Sequence, residues 1–239
     1  ALLYPAAVPQ GSAWLAAWAL VAAISVADDW TGVRPPVRLA VHVLAALIVA
    51  WAMLRPDGAK GLSLPLALAI AGMAFAIVWG ANLFNFMDGT DGIAGAQAAF
   101  MLIAASGLAL VSDPALASDP VWVFFPVLAA ACLGFLVHNW APARVFMGDV
   151  GSLYLGFAIF ALAATTIAKG WLAYSTWAIL AAAFVADATV TLARRALRRV
   201  RLQEAHRSHA YQRLARRWRS HGRVAVTVLL IDIAWLLPL

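Results

Sequence analysis

Apolar residues fall into eight long runs, separated by short stretches of charge and turn formers. The runs cover roughly residues 12–27, 37–54, 62–79, 93–111, 121–138, 153–168, 171–193 and 224–239. Each is apolar on every side and rich in Ala and Leu, so none shows the alternation of a barrel strand. A spanning helix needs ~20 mostly apolar residues, and the pattern predicts about eight transmembrane helices, the first and last short. The connections carry Pro35-Pro36, Pro56-Asp57-Gly58, Asp113-Pro114, Asp119-Pro120 and Lys169-Gly170, all turn formers.

Composition agrees with that pattern. Of the 239 residues, 64% are hydrophobic and 12% charged, and the mean hydropathy is +0.86. Soluble domains are about half apolar and about a quarter charged. A water-soluble globule, a disordered chain and a collagen-like fibre are excluded, and the expected class is an all-α polytopic membrane protein. One cysteine, Cys132, lies in an apolar run and excludes an intramolecular disulfide framework. No basic n-region precedes the first run, so no signal peptide is expected.

Charge adds direction. Fourteen of the seventeen Lys and Arg fall in one set of alternating loops: Arg34, Arg38, Arg144 and eleven arginines within 194–223. The opposite set holds Arg55, Lys60 and Lys169. The positive-inside rule makes the first set cytoplasmic, with both ends of this chain outside. The net charge of +6 is a topology signal, and no nucleic-acid partner is expected.

The acids concentrate on the same side. Asp28 and Asp29 end the first run, Asp88 and Asp91 lie in the next cytoplasmic loop, Asp149 in the third and Glu204 in the fourth; Asp57, Asp113 and Asp119 are outside. Each has a plain alternative. Asp88-Gly89 and Asp91-Gly92 form turns in many proteins, and Asp149 could be an N-cap. Three successive loops with acids at the membrane boundary are harder to explain that way. A face that only met anionic lipid would be basic alone, whereas acids among arginines point to a metal held beside an anionic ligand. The segment from Asn82 through Asn85, Asp88 and Asp91 to Gly95 holds two amides and two carboxylates in ten residues; Arg144 and Asp149 precede a helix start. Oxygen donors of this kind suit Mg²⁺ or Mn²⁺, and helix N-termini attract phosphate. His206 and His209, three apart beside Arg207, would share a face on a helix and suit phosphate contact. His42 and His221 read as structural. Asp187 belongs near the cytoplasmic site, and Asp232 has no evident reason to be where it is.

These motifs resemble the polyprenyl-phosphate N-acetylhexosamine-1-phosphate transferases, the MraY- and WecA-like membrane enzymes. The matching stretches are Asp28-Asp29, N-x-x-N-F-M-D-G-x-D-G at 82–92, P-A-R-V-F-M-G-D-x-G-S at 142–152 and the histidine loop at 206–212. The wording H-R-S-H-A-Y-Q looks most like the WbpL-like branch, which initiates O-antigen or related lipopolysaccharide; the peptidoglycan branch has adjacent histidines there. The resemblance implies a UDP-N-acetylhexosamine donor, an undecaprenyl phosphate acceptor in the bacterial inner membrane, and release of UMP at the cytoplasmic face. It implies one transferase domain over 1–239, with two further helices ahead of the Asp-Asp motif and ten in all. By matching positions it assigns Mg²⁺ to Asn85 and Asp149. Catalysis falls to Asp28, Asp29, Asp88 and Asp91, and substrate binding to Asn82, Arg144, His206, Arg207 and His209. Sequence leaves open the sugar and the choice between monomer and homodimer.

The alternative from another class is a polytopic transporter with a cytoplasmic-side metal or anion site. Transporters bind substrate near the midplane at broken helices, whereas these motifs lie at helix ends. A CDP-alcohol phosphatidyltransferase needs D-G-x-x-A-R with two further aspartates, and Asp91-Gly92-Ile93-Ala94-Gly95 lacks the Arg and the downstream pair.

Overall fold

The computed structural model describes residues 11–55, 62–200 and 207–239. Within them the order is α1 (Gly11–Thr31), α2 (Pro35–Leu54), α3 (Leu64–Met87), α4 (Ile93–Ser112), a 3₁₀ turn (Pro114–Ser118) and α5 (Phe124–Asn139). Then come α6 (Gly148–Ala168), α7 (Tyr174–Leu180), α8 (Ala182–Leu197), α9 (Ala210–Trp218), α10 (His221–Ile231) and a π-turn (Asp232–Leu236). The Pro56-Asp57-Gly58 turn, Lys60, Glu204 and His206 lie outside the described residues.

Local chemistry sets the starts. Pro35 and Pro36 open α2, where a missing N–H costs nothing. Ser63 and Ser220 cap α3 and α10 by accepting the N–H of Leu66 and Arg223.

The apolar runs all become helical, but they do not become eight uniform spans. Among the described residues, five helices are long and apolar enough to cross a membrane: α1, α2, α3, α4 and α6. The run at 171–193 breaks into α7 and α8, bent by 76°, and this pair is a sixth span if counted as one. α5 has 16 residues, and α10 gives way to the π-turn after 11. Apolar length alone did not reveal the break, because nothing polar marks it.

Packing is inside-out relative to a soluble protein. Within their apolar windows α4 and α6 are 67% and 72% buried, against 22% for α1 and 28% for α3, so α4 and α6 form the centre. Large apolar side chains such as Leu68, Phe75 and Val137 are exposed, as a lipid-facing surface requires. One core cluster joins α1, α2, α3 and α6; a second gathers α4, α5 and α7 with parts of α3, α6 and α8. The end opposite the acidic loops is closed by Lys169, whose ammonium meets Asp119 at 2.6 Å and lies over the Trp171 ring.

Candidate active site

The acids converge because four helix ends meet. Asp28 lies in the last turn of α1, and Arg38 in the first turn of α2 across a tight connection. The Arg38 guanidinium pairs with Asp28 and also donates to Asp149 Oδ2 at 3.3 Å. Asp149 is the second residue of α6, so it stands at the positive end of the helix dipole. It is not the N-cap; Met147 takes that position. Asn85, on the last turn of α3, donates to Asp149 Oδ1 at 3.0 Å and to Ser152 Oγ at 3.1 Å. α3 runs to Met87 because its late polar groups find partners, and Asn82 donates back to Val78 O at 2.8 Å. The two amides expected in a loop are therefore helical, with Asn82 bonded to its own helix and Asn85 facing the acids. Asp29 is exposed on the same end of α1.

Asp88 follows Met87 directly. Burial, and then the nearby Asp149 charge, push its carboxyl up to about 7. This corner has more negative charge than Arg38 offsets.

The second half of the site is built from loops. Gly92 adopts φ +78, a conformation that favours glycine, and its N–H donates to Asn139 Oδ1 at 3.0 Å. Asn139 in turn donates to Val145 O at 2.8 Å, tying the 88–92 loop to the 140–147 loop. Asp91 accepts the Ala143 N–H at 3.1 Å and meets His221 Nδ1 at 3.1 Å. Gly89, Asp91, Arg207, Arg216, Arg219 and His221 line a cleft of about 700 Å³. Arg144 and Arg207 are exposed, with Arg207 at the rim of that cleft.

The histidine loop is anchored from α8. Asp187 accepts the N–H groups of Ala210 and Tyr211 at 2.8 and 2.9 Å and meets His209 Nδ1 at 3.4 Å. His209 is the N-cap of α9 and 2% exposed, its ring against Phe86 and Tyr211. Tyr211, its phenol held above the usual range mainly by burial, donates to Phe86 O at 2.9 Å. A side chain at Gly89 would collide with that hydroxyl. His209 thus organises the join between α9 and the acidic loop, and its partner in the sequence pattern, His206, lies outside the described residues.

Sequence reasoning missed four members of this arrangement. Arg38 was read only as a topology signal and His221 as structural, while Asn139 and Ser152 were given no role. A signal existed for Arg38, since it lies ten residues after Asp28, in the first turn that follows Pro35-Pro36. None existed for His221, which meets a residue 130 positions away.

Among the described residues, no three His, Cys, Asp or Glu side chains form a ready metal cluster. The donor set still fits a hard cation. Asp149 and Asn85 are adjacent, Asp28 and Asp88 stand close by, and all offer oxygen.

Fold and site together define a multi-pass α-helical membrane protein whose acids and amides gather at one end of the bundle. The family model described as Glycosyl transferase family 4 matches residues 12–167, and the chain belongs to that family. It is 38% identical over 157 residues to a phospho-N-acetylmuramoyl-pentapeptide-transferase of Trichormus variabilis, covering 58% of this chain and 41% of the relative. It is 36% identical over 171 residues to that of Picosynechococcus, covering 64% and 43%. With that of Synechococcus elongatus it shares 38% over 187 residues, covering 67% and 49%. The chain thus spans less than half the length of these relatives.

Proposed function

We propose that this protein transfers an N-acetylhexosamine 1-phosphate from a UDP-sugar to undecaprenyl phosphate, releasing UMP, and so initiates an O-antigen-like surface polysaccharide. The observation that carries the reading is the meeting of four helix ends at Asp149, where Arg38 bridges to Asp28, Asn85 donates, and Asp88 lies near enough to feel its charge. Two anions must be brought together in such a reaction, so the site needs fixed cations and oxygen donors for a divalent ion.

An oxygen of the acceptor phosphate attacks the donor's β-phosphorus; the bond from that phosphorus to the UMP oxygen breaks, and UMP leaves. The second pKa of such a phosphate is about 6, so it arrives mostly ionised and needs little help from a base. Asp28 then orients Arg38 toward the phosphates, and Asp29 is the exposed acid available for a residual proton. Mg²⁺ or Mn²⁺, held by Asp149 and the carbonyl oxygen of Asn85, would offset the charge that develops on the leaving phosphate. Asp88 and Asp91 complete the acidic floor. Arg207, with Arg216 and Arg219 around the cleft, offers the donor diphosphate positive charge; Arg144, exposed on the 140–147 loop, and Asn82, bonded to Val78 O, are assigned to substrate binding by the resemblance. His206 and His209 belong to the same loop.

The reading takes residues 1–239 as one transferase domain in the bacterial inner membrane, with the site facing the cytoplasm. The asymmetry of arginines supports that orientation. The relatives' names favour a second reading, in which the group transferred is phospho-N-acetylmuramoyl-pentapeptide. The loop sequence H-R-S-H-A-Y-Q at 206–212 favours the first.

Membranes carrying the full-length protein, incubated with undecaprenyl phosphate and a panel of labelled UDP-sugars that includes the muramoyl-pentapeptide donor, decide between them. UMP release with one N-acetylhexosamine donor and its loss in EDTA are expected. Release of UDP, or full activity in excess EDTA, would overturn the reading.

A further inference from the structure

A second polar cluster lies away from the acidic site, inside the apolar core. Asp232 opens the π-turn in the last apolar run and is 0% exposed. Among the described residues, neither of its carboxyl oxygens has a partner within hydrogen-bonding geometry. Gln97, 1% exposed on α4, is the polar side chain against it. The Gln97 amide nitrogen is already committed: Nε2 donates to Leu180 O at 3.0 Å. Leu180 ends α7, where the chain turns by 76° into α8. The remaining Gln97 atom, Oε1, is buried without a donor.

Three acceptor atoms, Gln97 Oε1 and the two Asp232 carboxyl oxygens, are therefore buried without a donor among the described residues. A carboxylate left so is among the most costly groups to bury. One proton resolves the arrangement, because a neutral carboxyl offers an O–H while an amide oxygen can only accept. The π-turn helps, since such a bulge re-aims side chains and recurs at functional positions.

We propose that Asp232 is a neutral acid whose O–H donates to Gln97 Oε1, and that this bond positions the α7–α8 break and thereby the active site. The linkage is continuous. Gln97 holds the carbonyl at the break. α8 leaves the break at an angle that carries Asp187 to the start of α9, and α9 brings Tyr211 onto the Phe86 carbonyl, two residues before Asp88. Asp232 touches no substrate in this scheme and is a positioning residue. Its effect on turnover rests on the transferase reading; its protonation and its hold on α8 do not.

The full-length protein in lipid nanodiscs provides the test, with Asp232→Asn and Asp232→Leu. The Asn amide replaces the O–H donor; Leu removes it. Infrared difference spectra should show a protonated-carboxyl band in the wild type that is missing in Asp232→Asn. Asp232→Asn should keep turnover within about twofold and wild-type hydrogen exchange over residues 207–218. Asp232→Leu should lose about tenfold or more in kcat, with KM little changed, and exchange faster at 207–218. Absence of the infrared band overturns the neutral acid. Loss in Asp232→Asn equal to that in Asp232→Leu, or wild-type turnover and exchange in Asp232→Leu, overturns the positioning role. If Asp232→Leu does not fold, the band and the behaviour of Asp232→Asn still decide. If no UDP-sugar is turned over by the wild type, the transferase reading fails, while the spectra and exchange continue to test this one.

Discussion

Asp149 is half exposed, at 53% of its side chain, and its contacts with Arg38 and Asn85 are of a kind that contributes ~0–1 kcal/mol. Asn keeps its shape and one acceptor, but not the charge that draws a divalent cation. Asp149→Asn is therefore expected to melt near the wild type and to lose turnover by orders of magnitude, with partial rescue by added Mg²⁺. An assay of UMP release across a Mg²⁺ titration checks this; near-normal turnover would reduce Asp149 to a helix-dipole role. Asp88 gives a different readout. Its proton is held more tightly in the folded protein than in the unfolded chain, since its carboxyl is raised to about 7 from an ordinary value of 3.8. Stability from this group is thus full below about 4 and declines as pH rises toward about 7. Melting temperatures in EDTA should show that decline, and Asp88→Asn should flatten it. Mg²⁺ should raise the midpoint more above about pH 7 than below about pH 5, because it favours the ionised carboxylate.

At the scale of elements, the join between α8, α9 and the acidic loop is the weak point. Asp187 supplies the cap that α9 takes from another helix. Asp187→Ala leaves two helix-start N–H groups without their acceptor, at a cost of ~1–3 kcal/mol. Faster amide exchange confined to residues 210–218, read by mass spectrometry, is the expected sign. Gly89 is the other side of the same join. Gly89→Ala should lower both melting temperature and activity, because the new methyl group meets the Tyr211 hydroxyl. Adding Tyr211→Phe removes that hydroxyl and should restore part of the stability. If the double variant is as unstable as the sum of the single ones, the collision is not the cause.

For the whole molecule, orientation is the testable quantity. Arginines fill the acidic end of the bundle, while Lys169 and Asp119 close the other. In a Cys132→Ala background, an impermeant thiol reagent applied to intact cells should label a cysteine at Lys169 and not one at Arg216. The reverse pattern would turn the protein over in the membrane and place the acidic site outside. Both positions are exposed enough to react once reached, since Lys169 is 30% exposed and Arg216 lies on the rim of the cleft.

How much of this was written in the sequence follows from what lipid does to patterning. Eight apolar runs, a basic end and three acid-bearing loops were legible, because hydrocarbon demands long apolar helices and repels charge to their ends. The gathering of Asp28, Asn85, Asp88 and Asp149 at one end of the bundle was legible too, because the loops and helix ends that carry them all lie on the same side of the apolar runs. What was not legible is which side of each helix faces protein. A soluble helix announces its inner face by amphipathicity, whereas a helix apolar all round carries no such mark. The centrality of α4 and α6, the break between α7 and α8, and the meeting of Asp232 with Gln97 therefore appear only on packing. The same holds for long-range polar pairs. Arg38 finds Asp149, and Asp91 finds His221, across more than a hundred residues each. His209 was read as a ligand of phosphate, yet burial against Phe86 and Tyr211 makes it a cap. Sequence determined which groups collect at one end of the bundle; tertiary structure decided which of them touch, because contact depends on how helices of uniform apolarity pack.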